Sequence, residues 1–263
     1  MQETRRTNAE RTRATRTALV AAARELFVDP GYAEASTPQI AAAAHVTRGA
    51  LYHHYADKRD LFRAVVEAEA EAVAREIEAR TEPVDGARGT ARTTGDSDAP
   101  DAPDAPDAPD ARGMLVEGAR AYLDAMAVPG RTRLLLVDAP AVLGAAEADA
   151  LDARHARRTL RAGLAAAIDT TPDDGAPDAA PDDGAWTGRA RDGGSRLAGR
   201  TRPTTPRVAD DVAHDDRLDA LTLLLSAAFD RAALALDGGA PPRPVRAAVT
   251  ELVDRVCAPR TTR

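Results

Sequence analysis

The run TRGALYHHYADKRDLF, residues 47–62, concentrates side chains that could do polar chemistry. It holds an adjacent histidine pair, His53 and His54, the chain's only lysine, Lys58, and three of its eight aromatic residues, Tyr52, Tyr55 and Phe62. Such a set is open to metal ligation, to acid–base catalysis, or to donating hydrogen bonds to an anionic surface. Metal ligation by the pair fails on geometry, because neighbours on a helix point about 100° apart and cannot close on one ion. Catalysis needs a nucleophile with a base, or paired acids, in an ordered pocket. The acidic residues elsewhere fall in Asp-rich tracts or on solvent faces, and no Gly-rich phosphate loop precedes a helix. The chain therefore reads as a non-enzyme with no metal and no cofactor.

Short elements must position those donors. "TNAE" at 7–10 is a capping-box pattern, with Thr7 as N-cap and Glu10 reaching back, so a helix is expected over 7–29. Leu19, Ala22, Ala23, Leu26 and Phe27 follow its buried stripe, and "DPGY" at 29–32 ends it through Pro30 and Gly31. A second, short helix starts where Ser36 or Thr37 can cap it, with Pro38 in the first turn, and runs to Ala44. After a tight break at His45 and Val46, Thr47 can cap a third helix, and Asp57 a fourth that keeps an apolar stripe out to about Arg80. A helix of that length spans roughly 35 Å. The second and third helices, joined by a short turn and braced by the others, form a helix-turn-helix. Its core would be Ile40, Ala41, Ala44, Val46, Leu51 and Tyr55, with Phe27 and Phe62 packing from either side. A head of about sixty residues buries little surface, which explains why the large rings gather in it.

Charge and composition agree with this division. The chain carries a net charge of −7. Residues 1–63 hold ten Arg/Lys against seven Asp/Glu, a balance of +3, so the remaining 200 residues carry −10. Within residues 1–24 six Arg face two Glu, and that basic run adjoins the helix-turn-helix. The apolar residues are rich in alanine, a good helix former that is poor in strands, so an all-α protein is expected. A single cysteine, Cys257, excludes an intramolecular disulfide. The polar N-terminus has no signal-peptide pattern and no run is long enough to span a membrane, so a cytoplasmic protein is expected with no membrane partner.

Two biased stretches interrupt the rest. Residues of about 81–112 contain a repeating Asp-Ala-Pro unit, and about 170–216 is rich in Asp, Gly, Pro, Thr and Arg. Neither carries enough large apolar side chains to order itself, so both read as disordered insertions. Helical pattern resumes over 113–169 and in two late segments, about 217–236 and 244–257. In the last of these, Val245, Ala248, Val249, Leu252, Val253 and Val256 make the cleanest amphipathic stripe in the chain.

The segment GYAEASTPQIAAAAHVTRGALYHHYADKRDLF closely resembles the DNA-binding signature of the tetracycline-repressor (TetR/AcrR) family of bacterial regulators, in order and without gaps over 15–66. "RLLLVDAPAVLG" is similar to a segment of that family's regulatory domain. The resemblance implies an all-α homodimer with a helix-turn-helix head, residues 7–62, and a helical ligand-binding and dimerisation domain, residues 63–258. Carried over position by position, it implies DNA contacts from Thr37, Thr47, Arg48, Gly49, Tyr52, His53, His54 and Lys58. Arg48 would face bases, His53 bases or sugar, Tyr52 and His54 phosphates, and Lys58 would add its charge to the N-terminus of the long helix, beside phosphate. Two positions depart from the family pattern: His45 replaces a turn glycine, and Pro38 replaces a residue often used for a polar contact.

The function so implied is a sequence-specific transcriptional regulator, a repressor released by a small hydrophobic effector. A palindromic double-stranded DNA and a second copy of the chain, held through about 217–257, would be its partners. Met114, Tyr122, Met126 and Leu143 are the candidate effector-lining residues. An activator, or a non-specific architectural DNA-binding protein, is the alternative.

Overall fold

The computed structural model describes residues 7–82, 111–169 and 207–258, and among these it has eleven helices and no strand. Helix α1 (Asn8–Leu26) begins at the expected capping box, with Thr7 and Glu10 satisfying each other's backbone N–H. A wide turn over Phe27–Gly31 ends it. Ser36, the first of the two candidate caps, opens α2 (Thr37–Ala43), and Gln39 closes the box by accepting from the Ser36 N–H at 2.9 Å. Thr47 caps α3 (Arg48–His54), and Asp57 caps α4 (Lys58–Thr81). These four short-range caps explain why such short helices hold their ends in place.

The body follows as α5 (Ala111–Met126), α6 (Arg131–Arg133), a wide turn over Leu134–Asp138, α7 (Ala139–Leu143), α8 (Ala145–Arg154), α9 (Ala156–Asp169), α10 (Arg207–Asp237) and α11 (Pro242–Val256). Helix therefore reaches into both stretches expected to be irregular. Thr81 belongs to α4, Ala111 and Arg112 open α5, and α10 starts ten residues before 217. The early start has a local cause. The run DDVAHDDRLD has no Pro or Gly, and Arg161 of α9 bonds Asp215 and Asp219 at 3.3 and 2.6 Å. The Asp-Ala-Pro repeat and the core of the second biased stretch lie outside the described residues.

Two apolar cores share α4. The upper one gathers the expected head residues, with Ile40, Leu51 and Phe62 fully buried and Val46 partly so, and continues into Leu134, Ala139, Leu143 and Leu151 of the body. Phe27, Tyr32 and Phe62 form a three-ring contact with centroids 4.9–5.4 Å apart, which adds edge-to-face attraction to the burial. The lower core joins Val73 and Ile77 of α4 to Leu115, Tyr122, Leu164, Leu225 and Phe229. Val249 and Val253, on the amphipathic stripe of α11, are buried in this same core, 6% and 0% exposed. The stripe thus faces its own chain, and Ala248 and Leu252 remain on the outside.

The turn between α2 and α3 is closed by a Schellman pair, Val46 N–H to Ala41 O at 2.9 Å and His45 N–H to Ala42 O at 3.1 Å. That pair requires a left-handed residue at position 45, and His45 adopts it, with φ +55°. The departure from glycine keeps the turn's shape at a steric cost of about 1–2 kcal/mol, partly offset by the smaller backbone entropy that histidine loses on folding. His45→Gly is expected to raise unfolding free energy by about 0.5–1 kcal/mol in urea titration; a decrease would show that the His45 ring makes compensating contacts.

Candidate nucleic-acid interface and interior cavity

Helix α3 has only seven residues, and its two sides differ sharply. Leu51 is fully buried and Tyr55, just past its end, is 3% exposed, whereas Arg48, Gly49, Tyr52 and His53 are exposed. At about 100° per residue these four occupy one arc of roughly 140°. Arg48 lies over the Tyr52 ring, 5.5 Å from its centroid, and the Tyr52 hydroxyl is 3.0 Å from Thr37 Oγ1 at the start of α2. Those two hydrogen-bonding neighbours, Thr37 first, hold the Tyr52 phenol below its ordinary pKa. Thr37, Arg48 and Tyr52 are therefore one contiguous polar patch. Thr47 is behind it as the cap, its Oγ1 accepting from Ala50 N–H at 3.1 Å.

Gly49 occupies an open position. A Cβ added there would meet only Thr47 Oγ1, at 3.9 Å, so nothing within the chain asks for glycine. His53 and His54 stack edge to face at 5.2 Å. His54 turns toward α1, where burial first, then His53 and Arg16, push its pKa below the usual histidine value. Arg13 and Arg16 of α1 border the same open groove as His54.

Lys58 differs from its expected setting. Its ammonium donates to the carbonyls of Tyr32, Ala33 and Ala35 at 2.9, 3.3 and 3.1 Å and sits 4.4 Å from the Tyr32 ring centroid. All three N–H donors are engaged inside the chain, so Lys58 fastens the segment before α2 to the start of α4. A compact ammonium on a flexible stem suits three converging carbonyls better than the planar fork of a guanidinium.

The head is fixed to the body by a buried acid. Glu69 of α4 accepts from Arg24 Nε of α1 at 2.9 Å and from Arg131 Nε of α6 at 2.8 Å. Burial alone would raise the Glu69 pKa, but the bonds and charges of Arg131 and Arg24 outweigh it and hold the carboxyl below its ordinary value. Arg131 also bonds Glu76 and the Ala125 carbonyl, and Arg24 bonds the Pro129 carbonyl. Beside them Gly130 has φ +78°, and a side chain there would run into Val28. Residues 128–131 thus press directly against the end of α1.

Farther along α4, Ile77 and Thr81 help enclose a cavity of about 290 Å³ between α4, α5, α9 and α10. Met114 and Tyr122 line it, together with Phe229, Leu160 and Ser226. Met126 lines a smaller neighbouring void of about 50 Å³ that shares Tyr122. Leu143 lies elsewhere, in the upper core, because α7 packs against the head. His155, on the neighbouring stretch between α8 and α9, is paired with Glu67 at 2.8 Å.

Sequence reasoning missed the polar rim behind this cavity. Tyr122 donates to Asp230, Ser226 to Asp152 at 3.4 Å, and Arg157 pairs with Asp152 and Asp149. The signal was present: Asp230 is a lone acid inside the apolar run LLLSAAFDRAALAL. Burial pushes its pKa from 3.8 up to about 6, and Asp152 adds to the rise while Tyr122 and Arg157 oppose it. Burial also raises Asp152, against Arg157, and raises Tyr122 further with the help of Asp230.

The comparisons agree with the geometry. Residues 19–65 match the profile of bacterial regulatory proteins of the tetR family, and residues 113–172 that of a tetracyclin repressor-like C-terminal domain. The HTH-type transcriptional repressor BepR of Brucella suis biovar 1 (strain 1330) is 42% identical over 62 residues, 24% of this chain and 29% of BepR. The match thus spans less than a third of that relative's length. A TetR-family regulator from Pectobacterium atrosepticum shares the fold with a TM-score of 0.50 and 24% identity, over 95% of both chains. The multidrug binding protein EbrR, crystallised with imidazole, gives 0.51 and 19%, over 94% of this chain and 97% of its own. Residues 19–65 and 113–172 are thus each similar to the corresponding part of tetR-family bacterial regulatory proteins, and the fold is shared.

The raised Asp230 pKa makes a signed prediction. Its native carboxyl holds a proton more tightly than the unfolded one, so its contribution is undiminished below about pH 4 and is lost as pH rises through about 6. Asp230→Asn keeps an acceptor for Tyr122 without the charge. Its stability relative to the parent should increase by on the order of 2–3 kcal/mol between pH 4 and pH 7, measured by urea unfolding. A gap that stays constant with pH would mean that Asp230 is well solvated.

Proposed function

We propose that the chain is a sequence-specific DNA-binding regulator that represses transcription until a small apolar effector enters the α4–α5–α9–α10 cavity. The observation that carries this reading is the exposed arc of α3, where Arg48, Tyr52 and His53 surround the unfilled position at Gly49. Glycine in a helix costs roughly 0.5–1 kcal/mol against alanine, and here the chain gains no internal contact from it. Close approach of the backbone to a DNA duplex gives the residue a purpose. Arg48 is then free to donate two bonds to guanine O6 and N7, worth about 1–3 kcal/mol of discrimination. Tyr52 and Thr37 reach phosphate together, Thr47 fixes the helix start, and His53 and His54 flank the path toward Arg16. Lys58 positions the head from behind and adds its charge to the N-terminal end of α4.

Residues 7–62 serve as the reading head and 63–258 as the effector and dimer module. BepR's repressor role and the small ligand in EbrR support repression and a small-molecule effector. The dimer would form on the outer face of α10 and α11. Ala220, Leu223, Leu224 and Ala227 recur at helical spacing there, with Leu223 and Leu224 52% and 67% exposed, and Leu252 lies on the outside of α11. A two-fold pairing of these helices would form a four-helix bundle and would set two α3 helices about 34–36 Å apart on successive major grooves. Among the described residues, no helix is long and apolar enough to cross a membrane.

Two experiments test this reading. Gly49→Ala should stabilise the protein by about 0.5–1 kcal/mol yet weaken gel-shift binding to the DNA upstream of its own gene. The parent should prefer that DNA over random sequence by about a thousandfold or more; unchanged affinity in the variant would remove α3 from the interface. Leu223→Asp with Leu224→Asp should yield a folded monomer by light scattering and circular dichroism, whereas Val253→Asp should unfold the chain. A dimer that survives the double change would move the interface elsewhere.

A further inference from the structure

The cavity wall contains four hydroxyl side chains, and each has its single proton already directed into the protein. Tyr122 donates to Asp230, and Ser226 donates to Asp152 at 3.4 Å. Thr81 donates to the Ile77 carbonyl at 3.1 Å, and Thr159 to Glu78 at 3.3 Å. A hydroxyl has one donor and two acceptor lone pairs, so what these groups retain for a ligand is acceptor capacity. Among the described residues, no charged or amide side chain stands in the wall to supply a donor. The other polarisable groups there, the Met114 sulfur and the Phe229 ring face, are also electron-rich.

Building on the effector reading above, we infer that the cavity selects apolar ring compounds that donate a hydrogen bond, such as phenols or aryl amines, and rejects carboxylates and acceptor-only ethers or ketones. The selecting end is formed by Tyr122 and Ser226. Both donate to carboxylates, which polarises their oxygens and strengthens them as acceptors for a ligand proton. Above about pH 6 Asp230 is ionised and cannot return a proton to Tyr122, which keeps the phenol oxygen in its accepting role. Asp152 and Asp230 behind the wall also set a negative potential that opposes an anionic ligand. An acceptor-only ligand would leave its own polar atom without a partner in an apolar box, a cost that discriminates strongly between near-isosteres.

The test uses the full chain at about pH 8, where Asp230 is ionised, with naphthol, its methyl ether and naphthoate as probes in isothermal titration calorimetry. Naphthol should bind at least about fivefold more tightly than the ether, as one hydrogen bond implies, and naphthoate should bind weakest. Ser226→Ala and Tyr122→Phe should each bring the naphthol-to-ether ratio toward one, while the ether's own affinity stays nearly unchanged. Ala119→Leu, which fills the cavity, should abolish binding of both. Equal or tighter binding of the ether, still lost in Ala119→Leu, would overturn the donor rule and leave the cavity reading in place. If none of the probes binds, or Ala119→Leu binds them as well as the parent does, the effector site is not this cavity and both inferences fall.

Discussion

A single buried carboxylate joins the two halves of this molecule. Glu69 sits at mid-length on α4 with one oxygen on Arg24 and the other on Arg131, so it ties the last turn of α1 to the corner that follows α5. Such a group is stable only when both partners are present, and removing one partner of a buried pair typically costs about 3–5 kcal/mol. The remaining donors of the two arginines go to the Pro129 and Ala125 carbonyls, to Glu76 and to Glu25. Head and body therefore meet through fixed directional bonds as well as the shared upper core, with Val28 close against Gly130.

The same helix serves a different purpose at each end. At its start Lys58 gathers three carbonyls of the segment leading into α2, and Arg59 and Arg63 reach Glu147 on α8. At its other end Ile77 and Thr81 form part of the cavity wall. An occupant that shifts α5 relative to α4 acts on Ala125 and Arg131 directly, and through Glu69 on Arg24. Coupling of this kind requires only that the occupant prefer one arrangement of the corner by a few kcal/mol over the other.

Much of the head was legible because its signals are local. Thr7 with Glu10, Ser36 with Gln39, Thr47 and Asp57 cap their helices through residues three positions away, and the rings of Phe27 and Phe62 stand inside the expected core. The strained place also announced itself, since a non-glycine residue at 45 must take a left-handed dihedral to close the turn. What could not be read were pairings set by tertiary approach. Lys58 finds its carbonyls on a segment more than twenty residues earlier, and Glu69 draws its partners from either side of the chain. The stripe on α11 is clear as a pattern, but periodicity says that a face is buried, not whose core buries it. Val249 and Val253 turned out to pack inward, and the outward apolar face belongs to Leu223 and Leu224, in a run so uniformly apolar that no side of it stands out. Leu143 followed α7 to the head for the same reason.

These connections matter to function only if the exposed arc of α3 reads bases. The direct measurement is selection and sequencing of bound fragments from sheared chromosomal DNA, performed in parallel with the parent chain and with Arg48→Ala. The account predicts a palindromic consensus with half-sites centred about 10 base pairs apart, or a multiple of that. In the variant, preference should be lost at one base pair in each half-site, symmetrically, with the others retained. An identical consensus from both proteins, or the loss of all preference at once, would contradict a base contact from Arg48 and with it the assignment of α3 as the reading helix.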